Sequence, residues 1–320
     1  MGQTPRYPSV DNRDSASVSG IGRVWQRYTH FIDRTFQFWA ILPTVLVLVF
    51  LTLQPALRLL EMSFSNVTFA AGREQWEFVG LAHARTMLED PVVWTALRNT
   101  FLYVVVVVVI ETVLGLILAF MVSRAGKAGV LYRAVYVIPL LIPPVAIGTI
   151  WRLMYDYNYG IINQIFTGLG LEGPLWLADP GLAMVSVVIV DIWHWTSFLF
   201  LILLAGVQSL PEDVIEAARV DGATELQIYR RILIPLMAPT ILVALMLRTI
   251  LAFKVFDQIF LLTGGGPGVA TEMISLYIFD VFFTQFRLGY GAFLALVTAL
   301  LITAMVIVYA WVNNRIQRSL

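Results

Sequence analysis

The chain has 320 residues, of which 59% are hydrophobic and only 13% are charged, and its mean hydropathy is +0.80. Soluble domains are about half apolar and about a quarter charged, so this composition excludes an ordinary water-soluble enzyme. The formal net charge of +0 argues against a nucleic-acid partner recognised through an overall basic field, and the absence of cysteine excludes disulfides and thiolate sites.

Six apolar stretches are long enough to cross a bilayer, which requires roughly 20 apolar helical residues. They cover about 37–59, 95–122, 133–155, 181–206, 236–262 and 289–311. We therefore predict an all-α integral membrane protein whose six transmembrane helices lie in a domain over residues 36–312. The polar lead before the first stretch is too long for a signal peptide, and no small-residue cleavage site follows it. We expect this first helix to be retained.

The lead, residues 1–35, is predicted to be a tail on the cytoplasmic side. Its first 20 residues are rich in Ser, Asp and Arg, which is typical of disorder. Apolar residues then recur at helical spacing, which favours a short helix on the membrane surface over an irregular lead-in. These residues are Ile21, Val24, Trp25, Tyr28 and Ile32.

Basic residues are distributed unevenly between the two sets of connections. Thirteen lie in the tail, in the connections after the second and fourth helices and at the C-terminus, against three in the opposite connections. Connections rich in Lys and Arg stay on the cytoplasmic side. We therefore predict that both termini, including residues 313–320, and the connection 207–235 are cytoplasmic.

The connection 207–235 is long, mixed in charge and rich in helix signals. Ser209 and Glu212 have the spacing of a capping box, and Gly222 offers the positive φ of a helix stop. These signals predict a helix that ends at Gly222 and a second helix that ends before Pro235. The small residues at the turn would admit a partner surface, whereas the alternative is a loop that only covers its own bundle.

This connection resembles the EAA motif of ABC-importer permeases. The matching residues are Glu216-Ala217-Ala218, Gly222 and Ile232-Leu233-Ile234-Pro235. The stretches 247–257 and 262–268, with Ala270-Thr271, are similar to the carbohydrate permeases of the maltose and glycerol-3-phosphate type. The resemblance covers about residues 37–315.

The resemblance implies a type I ABC importer permease fold with a cytoplasmic coupling helix, in a prokaryotic inner (plasma) membrane. The chain would form half of a translocation path for a sugar, an oligosaccharide or disaccharide, that an extracytoplasmic solute-binding protein delivers. A polyol or glycerol-3-phosphate is the alternative cargo. The partners would be a second homologous permease subunit and a dimer of ATP-binding cassette ATPases. The residues that contact the ATPase would be Glu216, Ala217, Ala218, Asp221, Gly222 and Ala223.

Nothing in the sequence predicts ATP hydrolysis or metal binding by this chain itself. The phosphate-binding pattern G-x-x-x-x-G-K-[ST] does not occur. The three histidines, His30, His83 and His194, are too scattered to predict a metal site. We therefore expect a transport subunit without cofactors, with ATP and Mg bound by the partner ATPase.

Ionisable residues inside the predicted helices are informative, because each costs at least ~2.5–3.5 kcal/mol unless it is paired or hydrated. They are Glu111, Asp191, Arg248, Lys254 and Asp257. Lys254 and Asp257 are three apart, so they are predicted to pair on one face of the fifth helix. Arg248 lies on another face, where Glu111 is a candidate partner.

The fourth helix carries the densest polar and aromatic cluster of any predicted span, Asp191-Ile-Trp-His-Trp-Thr-Ser197. Aromatic faces and hydrogen-bonding side chains together suit the C–H surfaces and hydroxyls of sugars. We predict a substrate path with Asp191, Trp193 and His194, to which Lys254 and Asp257 contribute. Packing of the tryptophans is the alternative interpretation.

The third predicted helix contains Pro139, Pro143, Pro144 and Gly148, which must distort it. Broken helices within membranes usually line a cavity. Two other classes of function stay open at this point. Asp191 and His194 lie three apart, as an intramembrane enzyme could use them, and a structural or signalling subunit is the third class.

Overall fold

The computed structural model describes residues 20–70 and 73–318. The tail segment 1–19, most of the predicted disordered region, lies outside the described residues. From Gly20 the backbone is helical and runs without a break into the first span, as α1, Gly20–Ser63. The chain divides into two units, residues 1–58 and 59–320.

The second unit is almost entirely helical. Its helices are α2 Ala82–Glu89, α3 Pro91–Ser123, α4 Gly129–Val137, α5 Pro144–Met154, α6 Ile161–Gly168, α7 Pro180–Gln208, α8 Glu212–Val220, α9 Glu225–Ile228, α10 Ile234–Phe253, α11 Asp257–Leu262, α12 Ile274–Phe279 and α13 Leu288–Gln317. The last helix therefore includes residues 313–317 of the predicted C-terminal tail.

A β-hairpin that the sequence did not predict follows α1. It consists of β1, Ser65–Ala70, and β2, Arg73–Phe78, which pair antiparallel with Val67 opposite Trp76. β-Branched and aromatic residues alternate with polar ones along these strands, which is a weak strand signal. The two strands are the exception to the predicted all-α architecture.

Five helical runs are long and apolar enough to cross a membrane: Ala40–Ser63, α3, α7, Glu225–Phe253 and α13. A bent pair, Gly126–Leu141 and Pro144–Met154, whose axes differ by 91°, brings the number to six when it is counted as one span. The prediction of a distorted third helix is confirmed. Proline lacks the N–H of the helical ladder and disfavours helical geometry in the residue before it, so consecutive prolines break the span.

The predicted fifth helix, 236–262, is wrong in its second half. α10 ends at Phe253, and α11 begins only at Asp257. Lys254 and Asp257 therefore do not share one helical face. Both side chains are exposed, and no ion pair joins them among the described residues. The predicted pairing of these two residues is wrong because the helix breaks between them.

The short helix α11 packs against α5 instead of extending α10. Gly148 of α5 permits this approach, since a Cβ atom at that position would lie 2.8 Å from the Cβ atom of Leu261. Real Cβ atoms almost never come so close. The two short helices therefore form one packed unit beside the break in α10.

The turn in the connection 207–235 is as predicted, but its capping residues are not. Gly222 has φ +77°, between α8 and α9. The predicted capping box of Ser209 and Glu212 is wrong, since the Ser209 hydroxyl donates to the Gly206 carbonyl at 2.8 Å. The capping box instead begins at Thr224, the N-cap residue of α9.

The second helix of the connection does not end before Pro235, as was predicted. It continues through a π turn, Tyr229–Leu233, into α10. In this turn the Ile234 N–H donates to the Tyr229 carbonyl, five residues earlier. A proline ring clashes with the carbonyl four residues before it, and a wider turn relieves that clash. The connection is therefore continuous with the fifth span.

The core of the second unit lies where α3, α7 and α10 pack together, with α13 against α10. Its central buried residues are Tyr103, Val104, Val107, Val187, Val190 and Ala252. Burial of such apolar side chains contributes ~1.5–3 kcal/mol each in water, but in lipid close packing replaces that driving force. The same three helices also bury the polar residues Glu111, Asp191 and Arg248.

Candidate functional site

A buried ionic cluster joins the three central helices. Arg248 of α10 donates from Nε to Glu111 Oε2 at 2.6 Å and from Nη2 to Glu111 Oε1 at 3.0 Å. Its Nη2 also donates to Asp191 Oδ2 of α7. The side chains are 1% exposed for Arg248 and 0% for each carboxylate. We call these three residues the ionic triad.

The triad explains how three charges are tolerated inside the spans. A bidentate arginine–carboxylate pair is the strongest geometry for two charges, and a buried charge without a partner is costly. The predicted contact between Arg248 and Glu111 is confirmed. The contact to Asp191 was not predicted, because sequence spacing does not reveal which helix faces which.

A cavity of about 240 Å³ opens where α10 breaks. It is lined by Pro144, Trp195, Arg248, Leu251, Lys254, Val255, Phe256, Asp257 and Gln258. The Arg248 guanidinium lies 5.0 Å from the centre of the Trp195 ring, so the ring and the cation form one wall. We call this space the central cavity.

Gln258 is a buried polar residue in the lining of the central cavity. Its side chain is only 3% exposed, and its Nε2 donates to Nδ1 of His194 at 2.9 Å. Its Oε1 is buried and has no hydrogen-bond partner among the described residues. A buried acceptor without a partner costs ~1–3 kcal/mol.

The structure separates the five residues predicted for the substrate path. Lys254 and Asp257 line the central cavity. Asp191 and His194 lie behind its wall, where each bonds to a lining residue, Arg248 and Gln258 respectively. Trp193 is not a lining residue: it is 39% exposed and packs its ring edge on Trp151.

Trp195 and Gln258 are among the lining residues that sequence reasoning missed. Trp195 lies in the predicted polar and aromatic cluster, but its spacing from Trp193 shows only that the two rings point to different faces. Gln258 was hidden because residues 236–262 were read as one helix. The sequence signal that could have identified Gln258 is its polar side chain, which follows Asp257 in an otherwise apolar run.

A second cavity, of about 480 Å³, lies between the end of α3 and the connection 207–235. Its polar lining residues are Ser123, Arg124, Gln208, Glu212, Glu216, Arg219, Glu225 and Tyr229. Of the residues predicted to contact an ATPase, Glu216, Ala217, Asp221 and Gly222 are exposed and Ala223 is half-buried. Ala218 is 7% exposed and packs against Ile228 and Leu233.

Ion pairs connect this region to the end of α3. Arg124 Nη2 lies 2.5 Å from Glu225 Oε2, and Arg124 Nη1 donates to the Tyr229 hydroxyl at 2.8 Å. Arg219 Nε lies 3.4 Å from the other oxygen of Glu225. The two oxygens of Glu225 therefore face two different arginines.

A third cavity, of about 500 Å³, lies at the opposite end of α3, where Val92 lines it together with Glu272 and Asp280. Burial raises the pKa of Glu272 from 4.5 to about 7, and the charge of Asp280 adds to the increase. Among the described residues, no group of three or more His, Cys, Asp or Glu side chains has the arrangement of a metal site.

Residues 111–318 match the family described as binding-protein-dependent transport system inner membrane component. The trehalose/maltose transport system permease protein MalF of Thermococcus litoralis is 37% identical over 275 residues, which cover 86% of this chain and 92% of that protein. The sulfoquinovosyl glycerol transport system permease protein SmoG of Agrobacterium fabrum is 33% identical, covering 89% and 92%.

A third relative, the probable starch degradation products transport system permease protein AmyD of Thermoanaerobacterium thermosulfurigenes, is 30% identical over 89% of this chain and 96% of that protein. The fold matches a crystal structure of a bacterial ABC transporter involved in the import of the acidic polysaccharide alginate, with a TM-score of 0.78 and 23% identity. The match covers 92% of this chain and 99% of that chain. The predicted permease fold is thereby confirmed.

Proposed function

This chain belongs to the family of binding-protein-dependent transport system inner membrane components, and we propose that it is the subunit through which an ATP-driven importer passes a sugar. It is a multi-pass permease of an inner membrane. Three of the relatives are named for trehalose and maltose, for sulfoquinovosyl glycerol and for starch degradation products. These names share a glycoside chemistry, and they support a sugar as the cargo here.

The observation that carries this proposal is the polar composition of the central cavity at the break in α10. Trp195 offers an aromatic ring, Lys254 a donor and Asp257 an acceptor. This mixture suits the C–H faces and hydroxyls of a sugar. The volume of about 240 Å³ is below the roughly 300–1,000 Å³ of pockets for drug-sized ligands, so the cavity suits one ring of a longer sugar.

The ionic triad also favours a neutral sugar over glycerol-3-phosphate. A phosphate ester needs accessible basic groups, and Arg248 is already bonded to two carboxylates. Lys254 is the remaining cation of the lining. A disaccharide or oligosaccharide is therefore the proposed cargo, with a polyol as the second candidate.

An enzymatic function of the same residues is disfavoured by their partners. Asp191 bonds to Arg248 and His194 bonds to Gln258, so the two side chains are not aimed at one reacting group. The relatives are likewise named as transport permeases. We therefore propose that ATP and Mg are bound by a partner ATPase.

The proposed complex contains a second homologous permease subunit, a dimer of ATP-binding cassette ATPases and an extracytoplasmic solute-binding protein. We assign the ATPase contact to the exposed residues Glu216, Ala217, Asp221 and Gly222, with Ala223 at the edge. Ala218 supports α8 from within. This assignment places both termini and the connection 207–235 in the cytoplasm.

The experiment that tests the function is transport by the reconstituted importer. Vesicles that contain this chain, its second permease subunit and its ATPase would be given the binding protein and radiolabelled maltose, trehalose or glycerol-3-phosphate. We expect ATP-dependent uptake of a disaccharide and none of the phosphate ester. Uptake of glycerol-3-phosphate alone, or turnover of a substrate by the purified chain without an ATPase, would contradict the proposal.

A further inference from the structure

The connection 207–235 is attached to the bundle by its two ends. At one end it follows α7, and at the other α9 continues through the π turn into α10. A segment held only at two points can rotate about the line between them. The orientation of α8 therefore depends on any third contact that lies away from that line.

The third contact is made by the end of α3, which is not covalently next to this connection. Arg124, the C-cap residue of α3, reaches both Glu225 and Tyr229 with the two arms of one guanidinium group. One turn earlier on α3, the ring of Phe120 lies 4.6 Å from the ring of Tyr229. A polar and an apolar contact thus act side by side.

Glu225 extends this contact to α8. It is the first residue of α9, and its two oxygens face Arg124 of α3 and Arg219 of α8. One carboxylate therefore joins three helices. Its charge therefore lies between two guanidinium groups, each within ion-pair distance of one of its oxygens.

We propose that Glu225, held by Arg124, is the positioning residue that fixes α8 against α3 and keeps ATP hydrolysis coupled to transport. α3 also carries Glu111 of the ionic triad, 13 residues from Arg124, or about 20 Å along the helix. Glu225 thereby connects the surface assigned to the ATPase with the helix that holds Arg248 at the central cavity. This inference rests on the proposed function, because it takes the connection to be the ATPase contact.

The test is a double-mutant cycle in the complete reconstituted importer, with Arg124→Met, Glu225→Gln and the double variant. The readout is the number of ATP molecules hydrolysed for each sugar transported. We expect each single variant to raise this ratio about five-fold or more. Coupling between two sites typically amounts to about five-fold at its lower limit. The double variant should be no worse than either single one, because one contact is lost in all three.

Two further measurements separate positioning from simple instability. A less stable subunit would lower the amount of assembled complex and leave the ratio of ATP to sugar unchanged. Because these side chains are 44% and 48% exposed, salt should screen their attraction. Raising the salt concentration should therefore raise the ratio for the original chain and not for the double variant.

Lys127→Met is the matched control, since Lys127 is an exposed cation close to Arg124 that makes no ion pair among the described residues. It should keep the original ratio. An unchanged ratio for Arg124→Met and Glu225→Gln, or fully additive effects in the double variant, would overturn the inference. Gly222→Leu separates this result from a failure of the proposed function. If the connection 207–235 does not contact the ATPase, Gly222→Leu should also leave the ratio of ATP to sugar unchanged.

Discussion

Arg248 of α10 donates two hydrogen bonds to a single carboxylate, that of Glu111 on α3, across 137 residues of sequence. The same guanidinium also bonds to Asp191 of α7 and lies over the Trp195 ring. Four side chains of three helices therefore set the position of one wall of the central cavity. The first two predictions follow from this arrangement.

The first prediction concerns the charge balance of the ionic triad. Arg248→Met leaves two buried carboxylates without a cation, and the loss of one partner from a buried ion pair costs ~3–5 kcal/mol. We expect a much lower yield of folded protein and an earlier thermal unfolding transition in detergent. Combining Arg248→Met with Glu111→Gln and Asp191→Asn removes all three charges and should restore most of the yield.

Asp191→Asn alone is the informative control, because Glu111 still balances Arg248. We expect nearly normal abundance and a clearly lower rate of transport, since the guanidinium loses one of its anchors. A normal unfolding temperature for Arg248→Met would show that the triad does not carry the stability assigned to it.

The second prediction distinguishes two tryptophans of one helix. Trp195 lines the central cavity, whereas Trp193 does not. An aromatic contact is worth ~0.5–1.5 kcal/mol. Trp195→Ala should therefore raise the sugar concentration that gives half-maximal uptake about two- to ten-fold. Trp193→Ala should leave it unchanged, and Trp195→Phe should lie in between. Equal effects of the two alanine variants on initial uptake rates would place the sugar elsewhere.

The third prediction concerns the turn between α8 and α9. Gly222 has φ +77°, a conformation that costs ~1–2 kcal/mol for residues with a side chain. No atom lies within 4 Å of an added Cβ there, so the cost of Gly222→Leu is conformational rather than steric. We expect membrane insertion to continue and stimulation of the partner ATPase to fall.

Gly222→Asn should retain most of that stimulation, because asparagine tolerates positive φ. Glu216→Lys should behave like Gly222→Leu, since it places a cation on the surface assigned to the ATPase. Normal stimulation of ATP hydrolysis by both Glu216→Lys and Gly222→Leu would refute the assignment of this connection.

The fourth prediction is the orientation of the chain in the membrane. Reporter enzymes fused after Val122 and after Val207 should be active on the cytoplasmic side, because these connections carry the excess of Lys and Arg. Fusions near Gly72 and Gly170 should report the opposite side. An external signal after Val207 would exclude contact between the connection 207–235 and an ATPase.

The fifth prediction concerns pH. Burial raises the pKa of Glu272 from 4.5 to about 7, so between these values the folded protein holds a proton that the unfolded chain has released. The stabilisation is complete below pH 4.5 and is lost as the pH rises through about 7. Thermal unfolding in detergent should occur at a higher temperature at pH 5 than at pH 8.

Glu272→Gln should reduce that difference in unfolding temperature, because the amide does not titrate. Glu172→Gln is the matched control, since Glu172 is an exposed carboxylate and the substitution should leave the difference as it is. If the pH dependence persists unchanged in Glu272→Gln, another group is responsible for it.

Composition and local pattern determined the membrane class, the long apolar helices and the broken third helix. Apolar length decides insertion, and two consecutive prolines disfavour a helix both through their missing N–H groups and through the residue before them, so the break at Pro143 and Pro144 could be predicted from the sequence. The turn at Gly222 belongs to the same group, because positive φ is a property of one residue. The EAA-like motif was likewise recognisable as a string of residues.

Tertiary structure alone decided which buried charges meet and where the fifth helix ends. No proline or glycine marks the break between Phe253 and Asp257. It forms where α11 packs on Gly148 of α5, a contact between segments more than a hundred residues apart. Asp191, likewise, reaches Arg248 only because α7 and α10 pack side by side. Spacing along one helix places a side chain on a face, but which neighbour it meets depends on the packing of the whole bundle.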